Sequence, residues 1–282
     1  MRTLYWKRLV ETIGSKQLYS LLSKSKSAEA TSNTKVRKDD GHTVESYVEL
    51  AQKVAELQFR NRDLVFLFRG QRSDHKNKQR NSSLRPSLLR DRRSNLAYEK
   101  LLDAERLLME RYTFTGKERI ARHQALRWSI LQHYEVCGTP LLDVTQSLRI
   151  AASFATDKSS EQAFVYVLGV PHISGAITAH DDAGLEVIRL SSVCPPEAMR
   201  PHLQEGFLLS EYPELASLGQ KQHYENHELD FGKRIVAKFV FNPNSFWQQS
   251  KAFPLVERDA IYPPGASDPL LSLTQKIKSE IE

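Results

Sequence analysis

Apolar positions recur at intervals of three and four from Val44 to Leu57. Val44, Tyr47, Val48, Leu50, Ala51, Val54 and Leu57 fall mostly on one helical face, with Thr43 placed to cap it. The pattern then changes to a continuous apolar run, Leu64 to Phe68, which predicts a strand ending at Arg69 and Gly70. A guanidinium at the end of a buried strand is a fixed cationic fork that suits phosphate or carboxylate. Gly70 permits either a sharp turn or the close approach of another group to the backbone. After a polar loop over 72–83 and a short anchored turn over 84–90, helical spacing returns at Leu96, Leu101, Leu102, Leu107 and Leu108. A further helix is expected to end near Tyr134. It is followed by a turn at Gly138, Thr139 and Pro140, a short strand over 141–143, and a helix carrying Ala151, Ala152 and Ala155. Asp143, Thr145 or Ser147 can cap that helix. Strand patterns appear over 163–168, 185–190 and 234–241, the first apolar enough to be central. After a further segment over 260–265, a last helix is expected over 270–281. A helix-rich first half followed by a strand-rich second half predicts an α+β fold in a single mixed domain.

Residues 1–40 read as an extension, and 41–282 as the main domain. Tyr5 to Leu22 has amphipathic helical spacing, whereas the Ser, Lys, Thr, Asn and Asp of 23–40 are the composition of a mobile linker. The opening residues lack the continuous hydrophobicity of a signal peptide, and Glu11 counts against a mitochondrial presequence. No apolar run approaches the roughly 20 residues that span a bilayer. An apolar fraction of 40% with 9% aromatics is that of a globular chain.

Charge changes the picture more by its placement than by its sum. The net charge is +6, yet between Arg69 and Arg93 nine basic residues face two acidic ones, Asp74 and Asp91. Such a patch attracts polyanions, whether dinucleotide, RNA or acidic protein, or is simply a solvated basic loop. Two cysteines, Cys137 and Cys194, offer no disulfide framework and fit a reducing, cytoplasmic setting. The histidines show no metal-ligand spacing, and there is no Walker or glycine-rich dinucleotide fingerprint.

Several blocks in order resemble the FRG domain, named for its Phe/Tyr-Arg-Gly motif. They are Phe68-Arg69-Gly70-Gln71, the stretch from Leu84 to Arg90, Leu131 to Tyr134, Thr139 to Thr145, and Ala151 to Ala155. Arg200 to Phe207 and Ile261 to Pro264 resemble later blocks, so that the likeness extends over roughly 43–280. Val144 stands where the family usually carries tryptophan.

The order of three of these segments is also distantly similar to arginine-type ADP-ribosyltransferases. An aromatic-Arg-Gly strand comes first, then Asp143, Thr145 and Ser147, then Glu257 and Asp259. That resemblance implies that Arg69 holds the pyrophosphate of NAD, that Thr145 orders the site, and that Asp259 stands where the catalytic glutamate would be. Breaking the nicotinamide–ribose bond develops positive charge, which a carboxylate near the ribose stabilises while a guanidinium neutralises phosphate. Aspartate is one methylene shorter than glutamate, so Glu257 is the alternative catalytic carboxylate. Both carboxylates also fit a solvated strand entry. His133 and Tyr134 are expected to line the pocket by stacking on a base or nicotinamide, Gly70 and Gln71 to join Arg69 in binding the ligand, and Asp143 to offer Arg69 a counter-charge. NAD is thus the expected substrate, with nucleic acid or protein as acceptor. Two further readings stand beside this one: a non-catalytic module binding nucleic acid or a protein partner through the same cleft and basic loop, and a structural scaffold.

Overall fold

The computed structural model describes residues 18–90, 94–157, 161–212, 230–263 and 268–282. The chain forms two compact units of non-contiguous segments. The first comprises the described residues up to Leu84, Val144–Ile173 and Asp230–Arg258; the second comprises Arg85–Asp143, the described residues between Ser174 and Leu229, and Asp259–Glu282. In chain order the regular elements are strands β1 (Leu18–Ser20) and β2 (Glu29–Thr31), helix α1 (Asn33–Lys38), β3 (His42–Thr43), α2 (Tyr47–Arg60) and β4 (Val65–Gln71). A 3-10 turn at Ser87–Arg90 leads to α3 (Ser94–Arg111), α4 (Lys117–Arg122) and α5 (Gln124–His133). Next come β5 (Leu142–Thr145), α6 (Leu148–Thr156), β6 (Ala163–Val170), β7 (Ile177–His180) and β8 (Leu185–Arg189). Then follow α7 (Leu190–Val193), α8 (Met199–Leu203), β9 (Gly206–Glu211), β10 (Ile235–Phe241), α9 (Pro243–Gln248), α10 (Arg258–Ile261) and α11 (Pro269–Ile281). The fold is α+β.

In the first unit β6 and β10 are buried along their whole lengths, as uniformly apolar central strands should be. β6 pairs antiparallel with both β4 and β10, and β3 adds in parallel to β10. At its other edge β4 meets β5 through the pair Phe68 and Thr145. Helix α2 begins at Ser46, not Thr43: the Ser46 hydroxyl accepts the Glu49 N–H at 3.2 Å, while the Glu49 carboxylate accepts the Glu45 N–H at 2.8 Å.

The Ser- and Lys-rich stretch expected to be a linker is structured instead. Val36 is buried. Asn33 Nδ2 donates to the carbonyls of Gly232 and Ile235. Arg37 donates to the Ser82 carbonyl at 2.8 Å and pairs with Asp230 at 2.6 Å. Polar side chains anchor this segment by directed bonds, so its composition hides its burial. Of the amphipathic helix expected over Tyr5 to Leu22, the part before Leu18 lies outside the described residues, and Leu18–Ser20 is a strand.

The second unit is an antiparallel meander of β7, β8 and β9 with a helical core. Leu107 and Leu108 of α3, Trp128 and Leu131 of α5, and Leu270 and Ile277 of α11 share that core. Glu105 is buried within it, accepting from Trp128 Nε1 at 2.9 Å and Arg127 Nε at 2.6 Å. Among the described residues, no helix is long and apolar enough to cross a membrane.

Candidate ligand-binding site

Strand β4 continues through Arg69 to Gln71, and Gly70 serves close approach. A Cβ at position 70 would lie 1.9 Å from the Ala151 carbonyl oxygen and 2.7 Å from the Ala155 nitrogen, so helix α6 rests directly on this backbone. Because side chains alternate along a strand, Arg69 and Gln71 point to the face away from α6.

On that face the pairing registers build a row. Arg69 of β4 is opposite Tyr166 of β6, and Tyr166 is opposite Lys238 of β10. Directly paired residues share a face, so a guanidinium, a phenol and an ammonium stand side by side across three strands. Asp74, from the loop that follows β4, ties two of them. Its carboxylate accepts from Lys238 Nζ at 2.7 Å and from the Tyr166 hydroxyl at 2.9 Å. Lys238 is almost fully buried, at 1% side-chain exposure, and donates also to the Ser82 hydroxyl at 2.9 Å. Burial, then the Asp74 charge and hydrogen bond, hold the Tyr166 phenol protonated well above its usual range, with Arg69 pulling the other way. Arg69 is half-buried.

The loop over 72–83 is an ordered hairpin. Ser83 N–H donates to the His75 carbonyl at 2.8 Å, and Asn77 N–H to that of Asn81 at 2.9 Å. Both the Ser82 N–H and its hydroxyl donate to the Arg37 carbonyl, so α1 holds the base of the loop. Arg72, Lys78 and Arg80 are exposed along it.

Thr145 stands apart from the Arg69 row. It pairs with Phe68, whose side chain points opposite to that of Arg69, so the register sets Thr145 on the α6 face. One face lined by both residues, as the transferase-like order implied, is not what the register gives. Thr145 is buried, and its hydroxyl accepts the Ser147 N–H at 3.0 Å, closing the turn into α6.

Other expected site residues lie in the second unit. Gln132 Nε2 donates to Asp143 at 2.6 Å, while the Gln132 carbonyl oxygen accepts from Thr139 at 2.7 Å and Ser87 at 3.3 Å. Three of the motif blocks, around Ser87, Gln132 and Thr139, therefore meet at the Gln132 amide, which in turn holds Asp143. Burial holds the His133 imidazole below its usual pKa, opposed by the nearby Asp143 and by a hydrogen bond to the Arg200 backbone. The Tyr134 hydroxyl is buried on Asp268 at 2.7 Å, and the Arg200 guanidinium stacks on the rings of Tyr134 and Tyr262. Asp259 is exposed in the first turn of α10. In the first unit, Glu257 is exposed immediately before the Arg258–Asp157 ion pair.

Sequence reading passed over Lys238, Tyr166 and the role of Asp74. The signal for Lys238 was present: it is the one charge inside the apolar run from Ile235 to Phe241. No curated protein and no solved structure matches the chain. Residues 65–163, from β4 to the first residue of β6, match the family model described as the FRG domain. The Arg69-Gly70-Gln71 strand, the Asp143 junction and the α6 approach all fall within that span, and the protein is an FRG domain-containing protein.

Proposed function

We propose that this protein binds a phosphate-bearing ligand of the nucleotide class on the Arg69 face, with NAD as the first candidate. The observation that supports this is the cross-strand row of Arg69, Tyr166 and Lys238, with Asp74 fixing Tyr166 and Lys238. A guanidinium held on a buried strand beside a fixed network loses little freedom when it meets an anion. Its fork can take two phosphate oxygens at once.

Calorimetric titration with NAD and ADP tests the reading. Arg69→Ala is expected to abolish binding, and Arg69→Lys to keep charge but lose the two-pronged contact and most of the affinity. Following nicotinamide release in the same samples asks whether transfer accompanies binding. Release that disappears when Glu257 and Asp259 are both changed to their amides would make the protein a transferase. Binding without release would make it a nucleotide-binding module.

The exposure of Arg72, Lys78 and Arg80 on the ordered hairpin favours a second reading, nucleic-acid binding. Failure to bind NAD and ADP, with salt-sensitive retention of RNA that the three alanine substitutions remove, would select it.

A further inference from the structure

Gln71 lies two residues beyond Arg69 on the same face of β4, opposite Phe164 as Arg69 is opposite Tyr166. Two residues along a strand separate these positions by roughly 6.6 Å. The Gln71 side-chain oxygen is buried and accepts no hydrogen bond among the described residues. A buried carbonyl oxygen without a donor is costly, and such groups call for an explanation. Its neighbour across the strand pair, Phe164, brings a ring stacked on Tyr166 and no donor.

Resting on the reading of Arg69 as the phosphate anchor, we propose that Gln71 is the specificity-determining residue of the site. Its carbonyl oxygen accepts a hydrogen bond from a hydroxyl or N–H that the ligand carries a few ångströms from its phosphate. Nucleotides meet this requirement through ribose hydroxyls or base N–H groups. Inorganic pyrophosphate has the charge and lacks the organic donor. The site is thereby selective for nucleosides bearing phosphate over bare polyphosphate.

The test measures binding of ADP, ribose 5-phosphate and inorganic pyrophosphate to wild type and to Gln71→Met, which keeps length and loses the amide. The expected result is ADP binding weakened about five- to tenfold, the equivalent of one neutral hydrogen bond, with pyrophosphate affinity unchanged. Retained pyrophosphate binding shows at the same time that the variant site is folded. Parallel loss for ribose 5-phosphate assigns the donor to ribose; loss for ADP alone assigns it to the base, and either outcome supports the proposal. Equal weakening of all three ligands, or no change for ADP, overturns it while leaving Arg69 as the anchor. If wild type binds none of the three and Arg69→Ala is indistinguishable from it, the reading of Arg69 falls and takes this proposal with it.

Discussion

Lys238 Nζ lies 2.7 Å from Asp74 Oδ2, with side-chain exposures of 1% and 9%, so a nearly dry ammonium depends on one carboxylate from a surface loop. Removing one member of such a pair costs more than removing both, because the remaining charge stays buried without its counter-ion. Asp74→Asn is therefore expected to destabilise the protein by about 3–5 kcal/mol. Adding Lys238→Met to that variant should recover much of the loss. Urea unfolding of the two single variants and the double variant checks this, and additive effects would contradict it.

Gly70→Ala should be among the most damaging substitutions in the chain. The new methyl would overlap backbone, the Ala151 carbonyl at 1.9 Å, and no side chain can move aside to admit it. The cost should exceed the roughly 1–3 kcal/mol of ordinary overpacking. At Gly175 the nearest atom to an added Cβ is 3.7 Å away, so Gly175→Ala serves as the mild comparison. Thermal midpoints of the two variants make the measurement.

His133 gives a pH dependence of definite sign. Burial holds its folded pKa below the ordinary value near 6.5, so the unfolded chain binds more protons in the window between the two values. This contribution to stability is present above about pH 6.5 and is lost as the pH falls toward the folded pKa. The urea midpoint should drop between pH 7.5 and pH 5, and His133→Gln should reduce that drop. An unchanged drop in the variant would assign it to other groups.

The two thiols should be quiet in the native state. Burial pushes both Cys137 and Cys194 up to about 12, which leaves very little thiolate at pH 8. Alkylation is expected to be slower than for an unfolded cysteine by about a thousandfold, with both sites reacting promptly in denaturant. Quenched-flow labelling with mass readout distinguishes the sites, and rapid native labelling of either one would rule this out for that residue.

Much of this fold can be read from local patterns. The strand at Val65–Gln71, the helices around Leu107 and Trp128, and the central strand at Ala163–Val170 announce themselves through runs and periodicity. Ser46 and Glu49 also carry a capping signal, a hydroxyl followed three residues on by a carboxylate, which Thr43 lacks. Strand β9 was harder to see because it is buried on both faces and so lacks alternation, and it ends in Ser210 and Glu211. Helix α1 was hidden for the opposite reason, since its anchors Asn33 and Arg37 are residues that elsewhere mark solvent.

The site divides the same way. Arg69, Gly70 and Asp143 stand out by motif, and their neighbourhoods were only partly legible. Which residue lies beside Arg69 depends on strand register, and a shift of one position would exchange Tyr166 for a residue of the other face. No single strand carries that information. The same register separates Thr145 from Arg69, which their order along the chain could not reveal.

The clamp formed by Arg37, Ser82 and Asp230 has a consequence for where this domain can be cut. The stretch that matches the FRG domain begins at residue 65 and stops at 163, on the first residue of β6. A fragment trimmed to those limits would lose β10 and nearly all of β6, together with the helix that pins the hairpin from the N-terminal side. Strand β4 would then present a long apolar edge with no partner along it, the type of surface through which chains stack on one another. Such a fragment should precipitate, whereas a chain running from residue 18 through Phe241 and beyond, with β4 paired to β6 and β5, should stay dispersed. Light scattering after refolding of the two would show that the recognisable motif and the unit able to fold are different lengths of chain.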